Sequence, residues 1–287
     1  MADQVAQRER VDHLAQRALR AAGDRTAPEG IELALHGTGS VVALTTDCAV
    51  RIARDRHRAP ELLRSQRLVD ALPELPFSVP TSLADPVEED GWVAVPTRRL
   101  SGRPHPAGSG DPGPLRELLA AIHTVPMTAD HPDLAIPRAF MGGTDWEHVL
   151  RDRVVPLLPR ELRPEALGRI DALRDLPSVD TVVNHGDLAG ENILWQDGQV
   201  SAVLDWDLTA HEDPAEDVAS LAWWHGWRLL GELVDPGTAA RARIFRDSIP
   251  LQMVAFQVLA GRPHEDLTAT IRRVTPLLAP PDRGARP

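Results

Sequence analysis

The chain has 287 residues, 43% hydrophobic and 25% charged, which supplies enough apolar material for one or two globular cores and argues against disorder. A net charge of −11 disfavours nucleic acid and anionic membrane as partners. No apolar run is long enough to cross a bilayer, and the charged stretch Met1 to Arg20 lacks a signal-peptide core, so the sequence reads as a soluble, cytoplasmic protein. All 31 basic residues are arginine. Any cation that the chemistry needs is therefore a guanidinium, which grips phosphate as a planar fork, or a metal ion. Cys48, the single cysteine, has no disulfide or Cys-x-x-Cys partner and reads as a buried small apolar residue.

Apolar spacing predicts an N-terminal helix from Ala2 to Ala22, stopped by Gly23. Short β-like runs follow at Ile31 to Leu35, Val41 to Thr45 and Ala49 to Ala53, with His36-Gly37-Thr38-Gly39-Ser40 as the turn between the first two. A helix is predicted from Glu61 to Leu72 and a strand from Gly91 to Pro96. The stretch Ser101 to Pro114, rich in Gly, Pro and Ser, reads as a hinge, which places a domain boundary near residue 100.

The remainder reads as helical: Leu115 to His123, Asp145 to Leu158, Pro164 to Leu173, Pro214 to Leu230, Thr238 to Ile249 and a last stretch to Leu278. One hairpin interrupts it, with Ile193 to Trp195 and Val200 to Leu204 joined across Asp197-Gly198. The tail from 280 to 287 reads as disordered.

The most informative segment is His185-Gly186-Asp187-Leu188-Ala189-Gly190-Glu191-Asn192, followed by Asp205-Trp206-Asp207. Folding the hairpin back on itself brings Asn192 and Asp205 towards each other, an oxygen donor set that suits a hard cation such as Mg²⁺ carried by a nucleotide. Phosphoryl transfer needs such ligands together with a carboxylate that orients the attacking hydroxyl and accepts its proton. A simple turn with a capping Asp is the blander reading of the same residues.

This ordered segment resembles the aminoglycoside phosphotransferase family, small-molecule kinases related to the protein kinases. The resemblance implies an α+β, bilobal protein-kinase-like fold, with a mostly β N-lobe over 1–100 and a helical C-lobe over 101–287. It implies Asp187 as catalytic base, Asn192 and Asp205 as Mg²⁺ ligands, and His185 and Asp217 as structural support of the loop. Asp207 is open between a group that supports or itself ligates the metal and a solvated hairpin-end residue.

In the N-terminal half, Gly37, Gly39 and Ser40 resemble a phosphate-covering loop, although Val42 stands where a third glycine is usual, and a plain hairpin turn is the alternative. Arg51 stands where the family carries a phosphate-binding lysine; the alternative is a surface arginine on a strand. Ser65 stands where that lysine's acidic partner is usual, with Glu61 one turn earlier as a substitute. Val93 to Arg99 resembles the hinge strand that holds the nucleotide base, and Thr97 and Arg99 are its candidate contacts.

Asp213 and Glu216 are candidate acceptor contacts, while solvated surface is the blander reading of Glu212 and Glu216. Trp223, Trp224 and Trp227 read as helix packing. The implied activity is transfer of the γ-phosphoryl group of ATP (or GTP) to a hydroxyl of a small molecule, such as an aminoglycoside or macrolide antibiotic. The alternative is a nucleotide-binding pseudokinase or regulatory module, suggested by Arg51 and Ser65.

Overall fold

The structure, a computed structural model, describes residues 2–34 and 39–279. Gly37 and the tail beyond 279 lie outside the described residues. In chain order the elements begin with α1 (Ala2–Ala21), β1 (Glu32–Ala34), β2 (Ser40–Leu44), β3 (Cys48–Ala53) and α2 (Ala59–Ala71). They continue with β4 (Val87–Glu89), β5 (Trp92–Arg98), β6 (Arg103–Pro104), α3 (Pro112–His123), α4 (Trp146–His148), α5 (Arg163–Arg174) and β7 (Val182–Asn184). The last are β8 (Ile193–Gln196), β9 (Gln199–Val203), β10 (Ala210–Glu212), α6 (Pro214–His225), α7 (Leu230–Leu233), α8 (Pro236–Leu259) and α9 (His264–Leu278). The chain is α+β.

The elements form two compact units that interleave along the sequence. One comprises Met1–His105, Val125–Leu134 and Gly190–Thr209; the other comprises Pro106–Thr124, Ala135–Ala189 and Ala210–Pro287. The sequence reading cut the chain once, near residue 100. The hairpin that carries Asn192 and Asp205 instead groups with the N-terminal unit, because β6 pairs antiparallel with β8, and the Ser78 carbonyl accepts the Val203 N–H at 3.0 Å.

The first unit is built on an antiparallel sheet of order β1-β2-β3-β5-β4. Strand alternation assigns its two faces. Cys48, Val50 and Ile52 of β3 pack with Val11, Leu14, Ala15, Ala18 and Leu19 of α1. Ala53 of β3 packs with Val93 and Val95 of β5 and Leu62 of α2 on the opposite face. Arg51 lies between Val50 and Ile52 in sequence, so the two-residue period turns it to the α2 face. Pro96 sits inside β5 and not at its end, where it pairs with Val50. Beyond Ala94, where β4 ends, the 81–83 segment takes over that edge of β5, and the Pro96 carbonyl accepts the Leu83 N–H at 2.9 Å. Burial pushes the Cys48 thiol up to about 11, in keeping with its role as a core residue.

In the second unit α8 packs against α5, α6 and α9. Three helix expectations change here. Asp145 to Leu158 is not one α-helix: α4 passes into a π-helical stretch at Val149–Val154 and a tight turn at Val155–Leu157, where Pro156 has no N–H to continue the ladder. α6 stops at His225 because Gly226 adopts φ 106°, far from helical. α8 runs through Pro250, since Phe245, Ser248, Leu251 and Val254 on either side are buried. The hairpin is also not the only β structure of the C-terminal half, because β7 pairs antiparallel with β10.

Candidate active site

The β8–β9 hairpin turns through Asp197 and Gly198, both with positive φ (52° and 76°), the backbone that an Asp-Gly type I′ turn requires. At its open end the Leu204 N–H donates to the Asn192 carbonyl at 2.8 Å, which sets Asp205 one residue beyond the Asn192 pairing. Asp205 has φ 58°, left-handed backbone that a non-glycine residue seldom adopts. Trp206, fully buried, pins the turn with its Nε1–H on the Val203 carbonyl at 3.1 Å. The Asp205 side chain is left 49% exposed. A half-open carboxylate and an Asn near it along the hairpin are hard oxygen donors of a kind that fits Mg²⁺, an ion that usually keeps several waters.

Arg51 is only 12% exposed and is paired with this segment. Its Nη2 donates to both carboxylate oxygens of Asp207 at 2.8 Å each and lies 3.8 Å from Asp205 Oδ1. Burial works against both charges. On Asp207 the Arg51 charge and hydrogen bond, the Ser65 hydroxyl and the Arg64 charge overcome it and hold the carboxyl below its usual range. On Arg51 the carboxylates of Asp207 and Asp205 likewise outweigh desolvation and raise its pKa. The surface-arginine alternative is therefore excluded. Glu61 pairs with Arg58 at 2.7 Å and reaches Arg51 through its charge, behind Asp207 and Asp205. Asp207 is neither solvated nor idle, a role for which the sequence offered only its spacing of two from Asp205.

The expected nucleotide contacts divide. Gly39 ends the turn beside this pair: a Cβ built on it would lie 3.7 Å from Asp207 Oδ2. Ser40 opens β2 opposite Ala53 and is buried. The Thr97 side chain is spent inside the sheet: it is 1% exposed, and its Oγ1 donates to the Ala49 carbonyl at 3.0 Å. Arg99 is also spent within the sheet region, its N–H on the Asp47 carbonyl at 2.9 Å and its guanidinium on the Thr45 carbonyl.

In the second unit the loop after β7 is held by one carboxylate. Asp217, fully buried on the first turn of α6, accepts the His185 N–H at 2.8 Å through Oδ2 and the Gly186 N–H at 2.9 Å through Oδ1. His123 Nε2 lies 3.3 Å from Oδ2. His185 is buried, and its Nδ1 accepts the Asp187 N–H at 3.2 Å, so the histidine orients the backbone of Asp187. Gly186 supplies the positive φ of 85° that the bend needs. The Asp187 side chain is left half-buried.

The acidic cluster after the metal motif is buried, not solvated. Asp213 is 8% exposed, caps α6 through the Ala215 N–H at 3.0 Å and pairs with Arg241 at 2.9 Å, so it is not free for an acceptor. Glu216 is 7% exposed. Burial, then the adjacent Glu212, push its carboxyl well above the usual range. Glu212 is raised as well, first by burial, against the pull of Arg138. Both expectations, acceptor contact for Asp213 and Glu216 and solvated surface for Glu212 and Glu216, are corrected by this burial. Trp223, Trp224 and Trp227 are half-buried and not core residues; the Arg246 guanidinium lies 5.0 Å from the Trp227 ring centre.

A kinase-like α+β chain with a sheet-borne arginine beside a metal-type hairpin, and a separately braced His-Gly-Asp loop, is the architecture of a phosphotransferase. Residues 30–247 match the phosphotransferase enzyme family, and the chain belongs to that family. It is 35% identical over 144 residues to viomycin phosphotransferase of Streptomyces vinaceus, a match over 46% of this chain and 50% of that protein. The chain thus spans about half the length of that curated relative.

Among solved structures, the GDP complex of wild-type aminoglycoside 2'-phosphotransferase-IIIa is similar with a TM-score of 0.73 at 16% identity, covering 93% of this chain and 97% of that one. A macrolide 2'-phosphotransferase of Brachybacterium faecium is similar with a TM-score of 0.65 at 20% identity, covering 96% and 99%. These likenesses establish the kinase-like fold. No helix among the described residues is long and apolar enough to cross a membrane.

Proposed function

We propose that this chain transfers the γ-phosphoryl group of ATP or GTP to a hydroxyl of a small-molecule antibiotic. The observation that carries the reading is the hairpin closure by Leu204 N–H on the Asn192 carbonyl, which sets Asp205 beside Asn192 in the order that the catalytic segment requires. Asn192 and Asp205 would hold Mg²⁺, which would supply positive charge to offset that of the phosphates.

The Asp187 carboxylate takes the proton of the acceptor hydroxyl as that oxygen attacks the γ-phosphorus. His185 and Asp217 keep the loop in place while it does so. Arg51 grips phosphate oxygens with the part of its fork that Asp207 does not use. Catalysis of this kind is positioning and electrostatic stabilisation. Use of a cellular nucleotide pool fits a cytoplasmic location.

The acceptor class rests on relatives named for viomycin, aminoglycosides and macrolides. The pseudokinase alternative drew on the missing acidic partner of Arg51, and Asp207 supplies one. The test is a nucleotide-consumption assay with Mg²⁺ and either ATP or GTP over viomycin, kanamycin, streptomycin, gentamicin and a macrolide, with mass detection of the product. One acceptor should gain a single phosphoryl group. Nucleotide consumption at the enzyme-free rate with every acceptor, by protein that binds the nucleotide, would favour the pseudokinase.

A further inference from the structure

Helix α2 normally would be asked for a carboxylate to steady the phosphate-binding cation, and here it offers none at that place. Ser65 occupies the position and Glu61 pairs with Arg58. What α2 offers instead are donors. The Ser65 hydroxyl turns back on its own helix, to the Leu62 carbonyl at 3.2 Å, while Arg64 donates from Nη2 to the Asp207 carbonyl at 2.6 Å. Nη1 of Arg64 holds the Asp133 carbonyl at 2.6 Å, which ties α2 to the 125–134 segment as well. The charge order is inverted: the helix donates, and the carboxylate arrives from the end of the metal hairpin.

We infer that Asp207 is the positioning residue for Arg51, taking the place of the helix carboxylate and joining the phosphate grip to the same short segment as Asp205. This rests on the phosphotransferase reading above. Three features carry it. Both Asp207 oxygens are bonded to one guanidinium nitrogen, so they are poorly placed to ligate a cation, which the guanidinium would repel. Among the described residues Arg51 hydrogen-bonds through Nη2 alone, so the rest of the five-donor fork can meet phosphate oxygens. Asp207 is itself restrained at its carbonyl by Arg64, so it holds Arg51 from a fixed point.

The experiment is a double-mutant cycle on the full chain, with Arg51→Ala, Asp207→Asn and the pair together, reading Mg·ATP affinity by calorimetry and the folded state by thermal melting. Removing either partner should weaken Mg·ATP binding by about tenfold, and the double variant should bind no more weakly than Arg51→Ala alone, because coupled residues are not additive. Asp207→Glu keeps the charge and should retain affinity within about threefold of wild type, a rescue that a packing role would not give.

Adding Ser65→Glu to Asp207→Asn should recover more than half of the loss on a logarithmic scale, by returning the carboxylate to α2. Additive losses, or wild-type affinity in a folded Asp207→Asn variant, would overturn the inference while leaving the phosphotransferase reading intact. A folded wild-type chain that binds neither ATP nor GTP would sink that reading first.

Discussion

Asp217 holds Gly186 and its neighbour His185 by their backbone N–H groups, one carboxylate oxygen to each, at 2.9 and 2.8 Å. The acceptor is fully buried, and the two N–H groups it satisfies lead directly into Asp187. An amide in its place would set an NH₂ against one of those donors. Asp217→Asn should therefore cost about 1–3 kcal/mol of stability, the range for an unsatisfied buried donor. Urea unfolding followed by tryptophan fluorescence measures this, and an unchanged midpoint would show that the loop is held by other contacts.

Asp187→Asn keeps the shape of the side chain and removes the base. Turnover should fall by about 10²-fold or more with nucleotide affinity and thermal midpoint unchanged. Turnover close to wild type would remove Asp187 from the mechanism.

Asp205→Ala removes the exposed carboxylate of the hairpin turn. The variant should bind ATP with the same affinity with and without Mg²⁺, whereas the wild type should bind more tightly with the ion. Calorimetric titrations in Mg²⁺ and in EDTA compare the two. A variant that still gains affinity from Mg²⁺ places the anchoring oxygen elsewhere.

Glu216 carries a pH dependence whose sign follows from its burial. Its native carboxyl titrates above the ordinary value of 4.5, so the native state holds the proton that the unfolded chain releases. This contribution to stability is whole below pH 4.5 and is lost as pH rises through the native pKa. Glu216→Gln removes the titration and keeps a donor for Glu212. The melting temperature of the variant relative to wild type should climb as pH goes from 4.5 to neutrality. A constant difference across that range would show that Glu216 does not carry the proton.

The sequence by itself determined the family, the order Asp187, Asn192, Asp205 and the Asp197-Gly198 hairpin, because these depend on residues close in the chain, where turn chemistry and spacing are local. Only the tertiary structure decided what Arg51 meets. Asp207 is 156 residues away from it. The pairing follows from how β6 receives the hairpin, and no local pattern encodes that.

Burial was likewise decided in three dimensions. Asp213, Glu212 and Glu216 have the composition of a solvated patch, yet the Arg241 pair, the cap on α6 and the packing around Arg138 draw them inside. Thr97 and Arg99 read as candidate nucleotide contacts, and the sheet supplies the Ala49, Asp47 and Thr45 carbonyls as partners within the chain. Hydrogen-bond competition of this kind depends on which strands become neighbours, and that is settled by packing of the whole unit, not by the residues on either side.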